Sequence, residues 1–315
     1  MTLNQLRYVI AVANADSMSE AARCLFIAQP SLSAAIKELE TEIGMELFRR
    51  TNRGISLTLE GEEFIGYARQ VVEQYELVES KYVNQTAIKK KFSVSMQHYT
   101  FAVNAFIEMV KQFGMDEYEF AVRESRTYDV IEDVSSFKSE IGILYVNDFN
   151  RKVLEKIFKE RELEFHEILN CYIYVYIAKS HPLAKRKVIT LQELQEYPCL
   201  SFDQGNNNSF YFAEEVLSTY EYKQLIKAND RATMLNLMVG LNGYTLCSGI
   251  ICEELNGDDY CAVKLDSEEV MTIGYIVRKG VTISPLGQKY LEEIEKYKDS
   301  IMSIPHHTDR QRNSS

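Results

Sequence analysis

The chain has 315 residues, six cysteines and a formal net charge of −11 at pH 7. That length suits two or three domains of roughly 150 residues each. No stretch reaches the ~20 apolar residues of a membrane helix, and the N-terminus lacks the features of a signal peptide. We therefore expect a cytoplasmic protein with no membrane partner. The acidic balance argues against nonspecific coating of nucleic acid but allows a local DNA-binding patch.

No sequence motif indicates catalysis or metal binding. The cysteines form no C-x-x-C pair and have no zinc-type spacing with histidine, so reduced and mostly buried thiols are expected. Nucleophile-elbow, zinc-protease, Walker A and dinucleotide-binding patterns are all missing from the sequence. We expect no enzyme, no metal and no cofactor.

Start and stop signals mark three short helices in residues 1–58. Capping-box spacings begin helices after residues 2 and 17, where Thr and Ser each precede Gln or Glu by three positions. Pro30 suits the first turn of a third helix, and Gly44 suits its end. A short helix, a turn and a longer helix predict a helix-turn-helix.

Polar residues on this segment form a candidate DNA-binding surface. Residues 47–58 predict two short strands joined by a turn, a wing that holds three arginines and no acid. Residues 1–60 together hold six Lys or Arg and seven Asp or Glu, so the basic character is confined to the wing. Side chains at the start of a recognition helix reach base edges, whereas wing arginines reach phosphates. The candidates are Arg23, Gln29, Pro30, Ser31, Ser33, Lys37, Arg49, Arg50 and Arg53. The alternative is a solvated charged hairpin beside a helical bundle.

A long helix is predicted over residues 59–88, with Thr58 as its N-cap. Apolar residues spaced four and three apart form a heptad seam, which is typical of helices that pair. The seam comprises Phe64, Ala68, Val71, Tyr75, Val78 and Tyr82. It predicts a homodimer contact, although packing against the protein's own C-terminal domain is the alternative.

Residues 92–300 alternate short apolar runs with helical stretches, which predicts α/β units with largely parallel sheets. The length allows two lobes, the first from residues 92–164 and 268–300, the second from residues 165–267. Residues 210–220 are among the predicted helices. The polar tail 301–315 is expected to be disordered.

Ligands of open α/β sheets bind at the carboxyl ends of strands, and the loops there are rich in polar residues. Arg231 would pair with an anion and Asp203 with an ammonium group. Serine, threonine and aspartate at helix starts are also ordinary caps, so capping alone is the alternative for each of them. The candidate ligand-binding residues are Gln97, His98, Tyr99, Thr100, Thr127, Asp203, Gln204, Ser209, Asp230, Arg231, Thr233 and Ser248.

The N-terminal pattern resembles that of the LysR-type transcriptional regulators. The matching core is A-A...Q-P-S-L-S...I-x-x-L-E-x-x-x-G-x-x-L-F-x-R...L-T-x-x-G, over residues 21–61. The resemblance implies a winged helix-turn-helix, a dimerising linker helix and a two-lobed α/β effector domain like type 2 periplasmic binding proteins. It also implies promoter DNA, RNA polymerase and a second copy of the chain, as a homodimer or homotetramer, as partners. A small-molecule-binding module without DNA-regulatory function is the alternative.

Five segments look closer to a Gram-positive branch that regulates methionine and cysteine supply. They are FSVSMQHYTFAVNAF, RESRTYDVI, EIGILYVNDFN, LSFDQGNNNSFYFAEE and DRATMLNLMVGLNGYT. This resemblance implies a sulfur amino-acid precursor as effector, such as O-acetylserine, homocysteine or an O-acylhomoserine, bound between the two lobes.

Overall fold

A computed structural model describes residues 1–15, 17–51, 54–79, 90–112 and 117–300. The chain divides into two compact units, one essentially of residues 1–90 and the other essentially of the remainder. The predicted contacts at Arg53 and Tyr82 and the predicted tail 301–315 lie outside the described residues. The side chain of Arg50 lies outside them as well.

The first unit has the predicted helix-turn-helix with a two-stranded antiparallel wing. Thr2 and Gln5 form the expected capping box, and Gly44 ends the third helix with φ of 72°. Both local predictions are confirmed. The elements are α1 (Leu3–Ala13), α2 (Met18–Cys24), α3 (Gln29–Ile43), β1 (Phe48–Thr51), β2 (Gly54–Leu57) and α4 (Leu59–Glu79).

Two side chains and one glycine fasten the wing to the helices. The Glu40 carboxylate accepts the backbone N–H groups of Leu47 and Phe48 at 2.8 and 3.2 Å. Thr58 caps α4, because its hydroxyl accepts the N–H of Gly61 at 2.8 Å. A Cβ at Gly61 would lie 2.1 Å from the Leu47 carbonyl oxygen, so α4 can approach the wing this closely only with glycine there.

The predicted seam of α4 divides into two parts. Phe64 and Ala68 pack into the apolar core of the first unit, to which α1 also contributes. Val71, Tyr75 and Val78 are 51%, 44% and 57% exposed. The seam is therefore an internal contact at its start and an open apolar stripe further along.

The first lobe of the second unit is built on a five-stranded sheet. Its strand order is β4-β3-β5-β13-β6. The strands are β3 (Lys90–Met96), β4 (Tyr118–Glu124), β5 (Ile141–Val146), β6 (Leu163–Tyr172) and β13 (Val270–Arg278). Its helices are α5 (Thr100–Lys111), α6 (Thr127–Ser135), α7 (Arg151–Glu160) and α11 (Pro285–Glu295), followed by the 3₁₀ turn Lys296–Ser300.

The second lobe contains a four-stranded sheet of order β11-β7-β12-β8 and a parallel pair β9-β10. A bridge between Cys199 and Tyr244 joins the pair to the end of the larger sheet. The strands are β7 (Tyr174–Ala178), β8 (Val188–Ile189), β9 (Cys199–Phe202), β10 (Leu225–Ala228), β11 (Thr245–Cys247) and β12 (Tyr260–Leu265). The helices are α8 (Leu191–Leu194), α9 (Arg231–Leu241) and α10 (Glu253–Asn256).

The sheets are mixed, whereas the sequence predicted largely parallel ones. Strand β13 runs antiparallel to both β5 and β6, because it returns the chain from the second lobe to the first. Strand β6 pairs with β13 along residues 163–172, so the expected lobe boundary at 165 falls inside a first-lobe strand. The two-lobed α/β architecture itself agrees with the prediction.

The helix predicted over residues 210–220 is wrong. Only the short 3₁₀ turn Phe210–Phe212 forms, and Leu217 has a positive φ of 58°. The Tyr145 hydroxyl lies 3.0 and 3.2 Å from the carbonyl oxygens of Ala213 and Glu215. These contacts hold the segment in an irregular path that turns two acidic side chains inward.

Candidate functional site

A pocket with a cavity volume of about 90 Å³ lies between the two lobes. It adjoins the carboxyl ends of β3, β9 and β11, the edge at which open α/β sheets bind ligands. This volume is well below the ~300–1,000 Å³ typical of drug-sized ligands. The pocket therefore suits a small metabolite. Its polar and charged lining comprises His98, Tyr99, Thr100, Tyr176, Glu214, Glu215, Arg231, Thr245, Ser248 and Asn256.

Arg231 is the positive charge of the pocket. It is the first residue of α9 in the second lobe, and its guanidinium donates to the Thr100 hydroxyl and the Glu124 carboxylate of the first lobe. The Arg231 and Glu124 side chains are 24% and 27% exposed. This ion pair therefore crosses the cleft where solvent still reaches it.

His98 and Glu214 form a second contact across the cleft. The backbone N–H and Nδ1 of His98 both lie within hydrogen-bond distance of one Glu214 carboxylate oxygen, at 3.0 and 2.8 Å. The imidazole stacks on the Phe202 ring with centroids 3.7 Å apart. Both polar side chains are more than nine-tenths buried, so this contact is shielded from water.

A chain of buried hydrogen bonds continues behind Glu214. Gln204 donates its amide to Glu214 at 2.9 Å and accepts the backbone N–H of Thr127 at 3.1 Å. The Thr127 hydroxyl in turn lies 2.5 Å from the side-chain amide nitrogen of Gln97. Unpaired buried polar groups destabilise a fold. This series of hydrogen bonds therefore favours one arrangement of the two lobes.

Arg126 and Asp203 make a further ion pair between the lobes. The Arg126 guanidinium donates to the backbone carbonyl of Asp203 at 3.0 Å and to its carboxylate at 3.3 Å. Gly205 has φ of +57°, and a Cβ there would lie 2.4 Å from a guanidinium nitrogen of Arg126. Glycine therefore allows Arg126 to reach Asp203.

Two adjacent acids form one wall of the pocket. Burial raises the pKa of the Glu215 carboxyl to about 8, and the neighbouring Glu214 carboxylate adds to the rise. The backbone N–H of Phe202 donates to Glu215 at 2.9 Å and opposes the shift. With Arg231 also in the lining, the pocket offers partners for both an anionic and a cationic group.

Neutral polar groups complete the lining. The Asn256 amide donates to the Thr100 hydroxyl at 3.1 Å and to the Tyr176 hydroxyl at 3.3 Å. The Thr245 hydroxyl is buried and has no hydrogen-bond partner within the described chain. A buried polar group left in this state favours a site completed by a ligand or by water.

The predicted ligand-binding residues fall into three groups. Five line the pocket: His98, Tyr99, Thr100, Arg231 and Ser248. Gln97, Thr127 and Gln204 lie behind it in the buried hydrogen-bond chain. The others lie elsewhere: Asp203 pairs with Arg126, Asp230 caps α9 through Thr233, and Ser209 is exposed on a loop.

Sequence reasoning missed Glu214, Glu215, Thr245, Asn256 and Tyr176. The two acids were assigned to a helix that does not form, although acids between apolar neighbours were a usable signal. The remaining three lie on short strands or a four-residue helix, where local sequence says little about which way a side chain points.

Most of the predicted DNA-binding residues that the structure describes are exposed to solvent. Leu32, Ile36 and Leu39 bury the inner face of α3, which leaves its polar residues outside. Ser33 is half-buried and accepts from the Gln29 amide at 3.0 Å. The exposed candidates are Arg23, Gln29, Pro30, Ser31, Lys37 and, on the wing, Arg49.

Comparison with known proteins identifies both units. Residues 3–62 match the bacterial regulatory helix-turn-helix family of lysR type, and residues 99–298 match the LysR substrate-binding domain. The chain belongs to the LysR family. It is a DNA-binding transcriptional regulator with an effector domain, and its candidate pocket lies within the matched substrate-binding domain.

Three proteins that are similar to this LysR regulator share 18–27% of their aligned residues with it. It is 22% identical over 293 residues to the uncharacterized HTH-type transcriptional regulator YbhD of Escherichia coli, covering 91% of this chain and 89% of the relative. It is 27% identical over 214 residues to the HTH-type transcriptional regulator CysB of Haemophilus influenzae, covering 65% and 62%. A full-length OxyR structure from Pseudomonas aeruginosa shares its fold, with a TM-score of 0.63, 18% identity and coverage of 93% and 94%.

The described residues lack two kinds of feature. No group of three or more His, Cys, Asp or Glu side chains within them is arranged to hold a metal ion. No helix among them combines the length and apolarity needed to cross a membrane.

The buried Glu215 predicts a pH-dependent stability of the effector domain. A carboxyl whose pKa rises from 4.5 to about 8 on folding stabilises the protein fully below pH 4.5, and this contribution is lost as pH rises through about 8. Glu215→Gln stays neutral, so its melting temperature relative to wild type should climb between pH 5 and pH 8.5.

Calorimetric melts at several pH values measure this difference. The positive charge of Lys227 favours the ionised form of Glu215, which limits how far the melting-temperature difference rises. Glu132→Gln removes a carboxylate from a surface ion pair with Arg161 and serves as the control. A pH-independent difference between Glu215→Gln and wild type would show that Glu215 is not buried as described.

Proposed function

We propose that this regulator reads promoter DNA with the start of α3 and holds the phosphates with its wing. The observation that supports this is the exposed polar face of α3 beside an arginine-bearing strand, in a first unit that is otherwise not basic. Gln side chains bond adenine, whereas arginines at a wing contact phosphates. The proposed contacts are Arg23, Gln29, Pro30, Ser31, Ser33, Lys37, Arg49, Arg50 and Arg53.

Two substitutions separate the two roles. Arg49→Ala should weaken binding to all DNA sequences and lower the dependence of log K on log salt by about 1 per protomer, since each phosphate contact releases about one counterion. Gln29→Ala should instead change the preferred sequence and leave the salt slope as it was. Fluorescence anisotropy with promoter and random DNA at four salt concentrations measures both. Lys156→Ala, on the exposed face of α7, is the control; an Arg49→Ala slope equal to wild type contradicts the phosphate role.

We propose that the protein forms a homodimer, or a tetramer of two dimers, through α4. The stripe of Val71, Tyr75 and Val78 supports this, because three exposed apolar side chains at heptad spacing are typical of a helix that pairs. Phe64 and Ala68 would support the stripe from the core of the first unit, and Tyr82 would extend it.

Charge introduced into the stripe should separate the subunits. Val78→Glu is expected to raise the dimer dissociation constant by at least ~10-fold, because a carboxylate would be buried between the helices. Gln74→Glu adds the same charge at an exposed polar position of the same helix and is the matched control. Sedimentation velocity across a dilution series measures both; an unchanged dimer in Val78→Glu would rule out this interface.

We propose that the cleft binds a small zwitterion of the sulfur amino-acid supply pathway, such as O-acetylserine, homocysteine or an O-acylhomoserine. Arg231 with Thr100 would take the carboxylate, and the Glu214–Glu215 wall would take the ammonium group. The cavity of about 90 Å³ suits a ligand of this size. The partial likeness to a regulator named CysB is consistent with sulfur metabolism.

A thermal-shift screen tests this ligand class. At a concentration 100 times its dissociation constant, a bound ligand stabilises the folded state by about 2.7 kcal/mol, which raises the melting temperature. We expect shifts with these three zwitterions, smaller shifts with analogues lacking the amine or the carboxylate, and no shift with Arg231→Gln. Equal shifts in wild type and Arg231→Gln would place the ligand elsewhere.

We further propose that the effector changes the angle between the two lobes and so shifts the population of promoter complexes. RNA polymerase would respond to that shift. Transcription in vitro with purified polymerase should then change on adding the effector; constant transcript levels would contradict this step.

A further inference from the structure

The positive end of the pocket already holds a carboxylate of the protein itself. Arg231 donates to Thr100 and Glu124, and both partners come from the opposite lobe. Glu124 is the last residue of β4, and Thr100 begins the helix after β3. The chain therefore places its own anion at the guanidinium that faces the cavity.

The surroundings of this ion pair suit a carboxylate group in general. The Thr100 hydroxyl accepts from the Asn256 amide at 3.1 Å, so an amide, a hydroxyl and a guanidinium converge at one end of the pocket. Guanidinium and hydroxyl donors form charge-assisted hydrogen bonds with carboxylates. A ligand carboxylate would meet Arg231, the donor that Glu124 uses, with the Thr100 hydroxyl beside it.

The ion pair is also weak enough to exchange. Its side chains are 24% and 27% exposed, so solvent screens the attraction, and pairs of this kind contribute modestly to stability. Replacing Glu124 by a ligand carboxylate leaves no new unpaired charge buried, because the released Glu124 can turn to solvent. The exchange therefore avoids the cost of stranding a buried ion.

We propose that Glu124 is an internal competitor of the effector: the ligand-free cleft closes on the Glu124–Arg231 pair, and the effector binds by replacing Glu124 at Arg231. This inference rests on the proposed function, since it takes the cleft as the effector site. Glu124 thereby sets the effector concentration to which the regulator responds, because only the fraction of molecules with a free Arg231 is ready to bind.

The second ion pair between the lobes offers a discriminating comparison. Arg126 and Asp203 also bridge the cleft, but neither side chain lines the pocket. Asp203→Asn therefore removes an interlobe ion pair without freeing Arg231. If Glu124 acts only by holding the lobes together, both substitutions will have the same effect on ligand affinity.

Isothermal titration of the full-length chain with O-acetylserine, homocysteine and O-acetylhomoserine tests the competition. Glu124→Gln should bind about 3- to 10-fold more tightly than wild type, the gain expected when a partly exposed ion pair no longer competes. Asp203→Asn should bind equally or more weakly, and Glu132→Gln, which loses a surface ion pair, should match wild type. Equal or weaker binding by Glu124→Gln overturns the proposal.

A ligand-free measurement keeps the inference separate from the choice of effector. Amide hydrogen exchange of residues 98–101 and 245–251, which contribute to both sides of the pocket, should be faster in Glu124→Gln than in Glu132→Gln. If no compound binds yet exchange increases, the proposed ligand class fails and the Glu124 contact stands. Unchanged exchange overturns the Glu124 contact, whatever the screen finds.

Discussion

The effector domain depends on the buried hydrogen bonds that connect its two lobes. Gln97, Thr127, Gln204 and Glu214 are buried, and their hydrogen bonds link one lobe to the other. Leaving a buried amide or carboxylate without a hydrogen-bond partner destabilises the fold by more than the same hydrogen bond stabilises it when formed. Small changes of lobe angle are therefore penalised steeply, so the domain prefers discrete arrangements. A ligand that alters the partners at the pocket can select among them.

The functional charges of the chain are also confined to a few positions. A protein of net charge −11 cannot bind DNA through its overall field, and its first sixty residues are not basic either. We therefore propose that affinity comes from a few arginines on the wing and from two copies acting together. The pocket of the effector domain also has few charges, since one arginine and two adjacent acids supply the ionic part of its lining.

Sequence predicted those features that local chemistry determines. Caps, Pro30 and Gly44 mark the helices of the first unit because each satisfies or ends a backbone pattern within a few residues. Features that depend on contacts between residues far apart in the sequence could not be predicted from it. The path of residues 213–220 depends on Tyr145, and the split of the α4 seam depends on which of its residues reach the core of the first unit. For the same reason the sequence identified Arg231, which begins a helix, and not Glu214 and Glu215, which lie on the irregular segment.

We propose that a ligand bound in the cleft changes how the protein engages DNA. The most direct measurement is the bend angle and footprint of promoter DNA bound by the full-length protein, with and without a saturating cleft ligand, for wild type and Arg231→Gln. We predict that the ligand alters bend and footprint for wild type and neither for Arg231→Gln. A ligand that binds wild type and leaves both unchanged would show that cleft binding does not control the DNA complex.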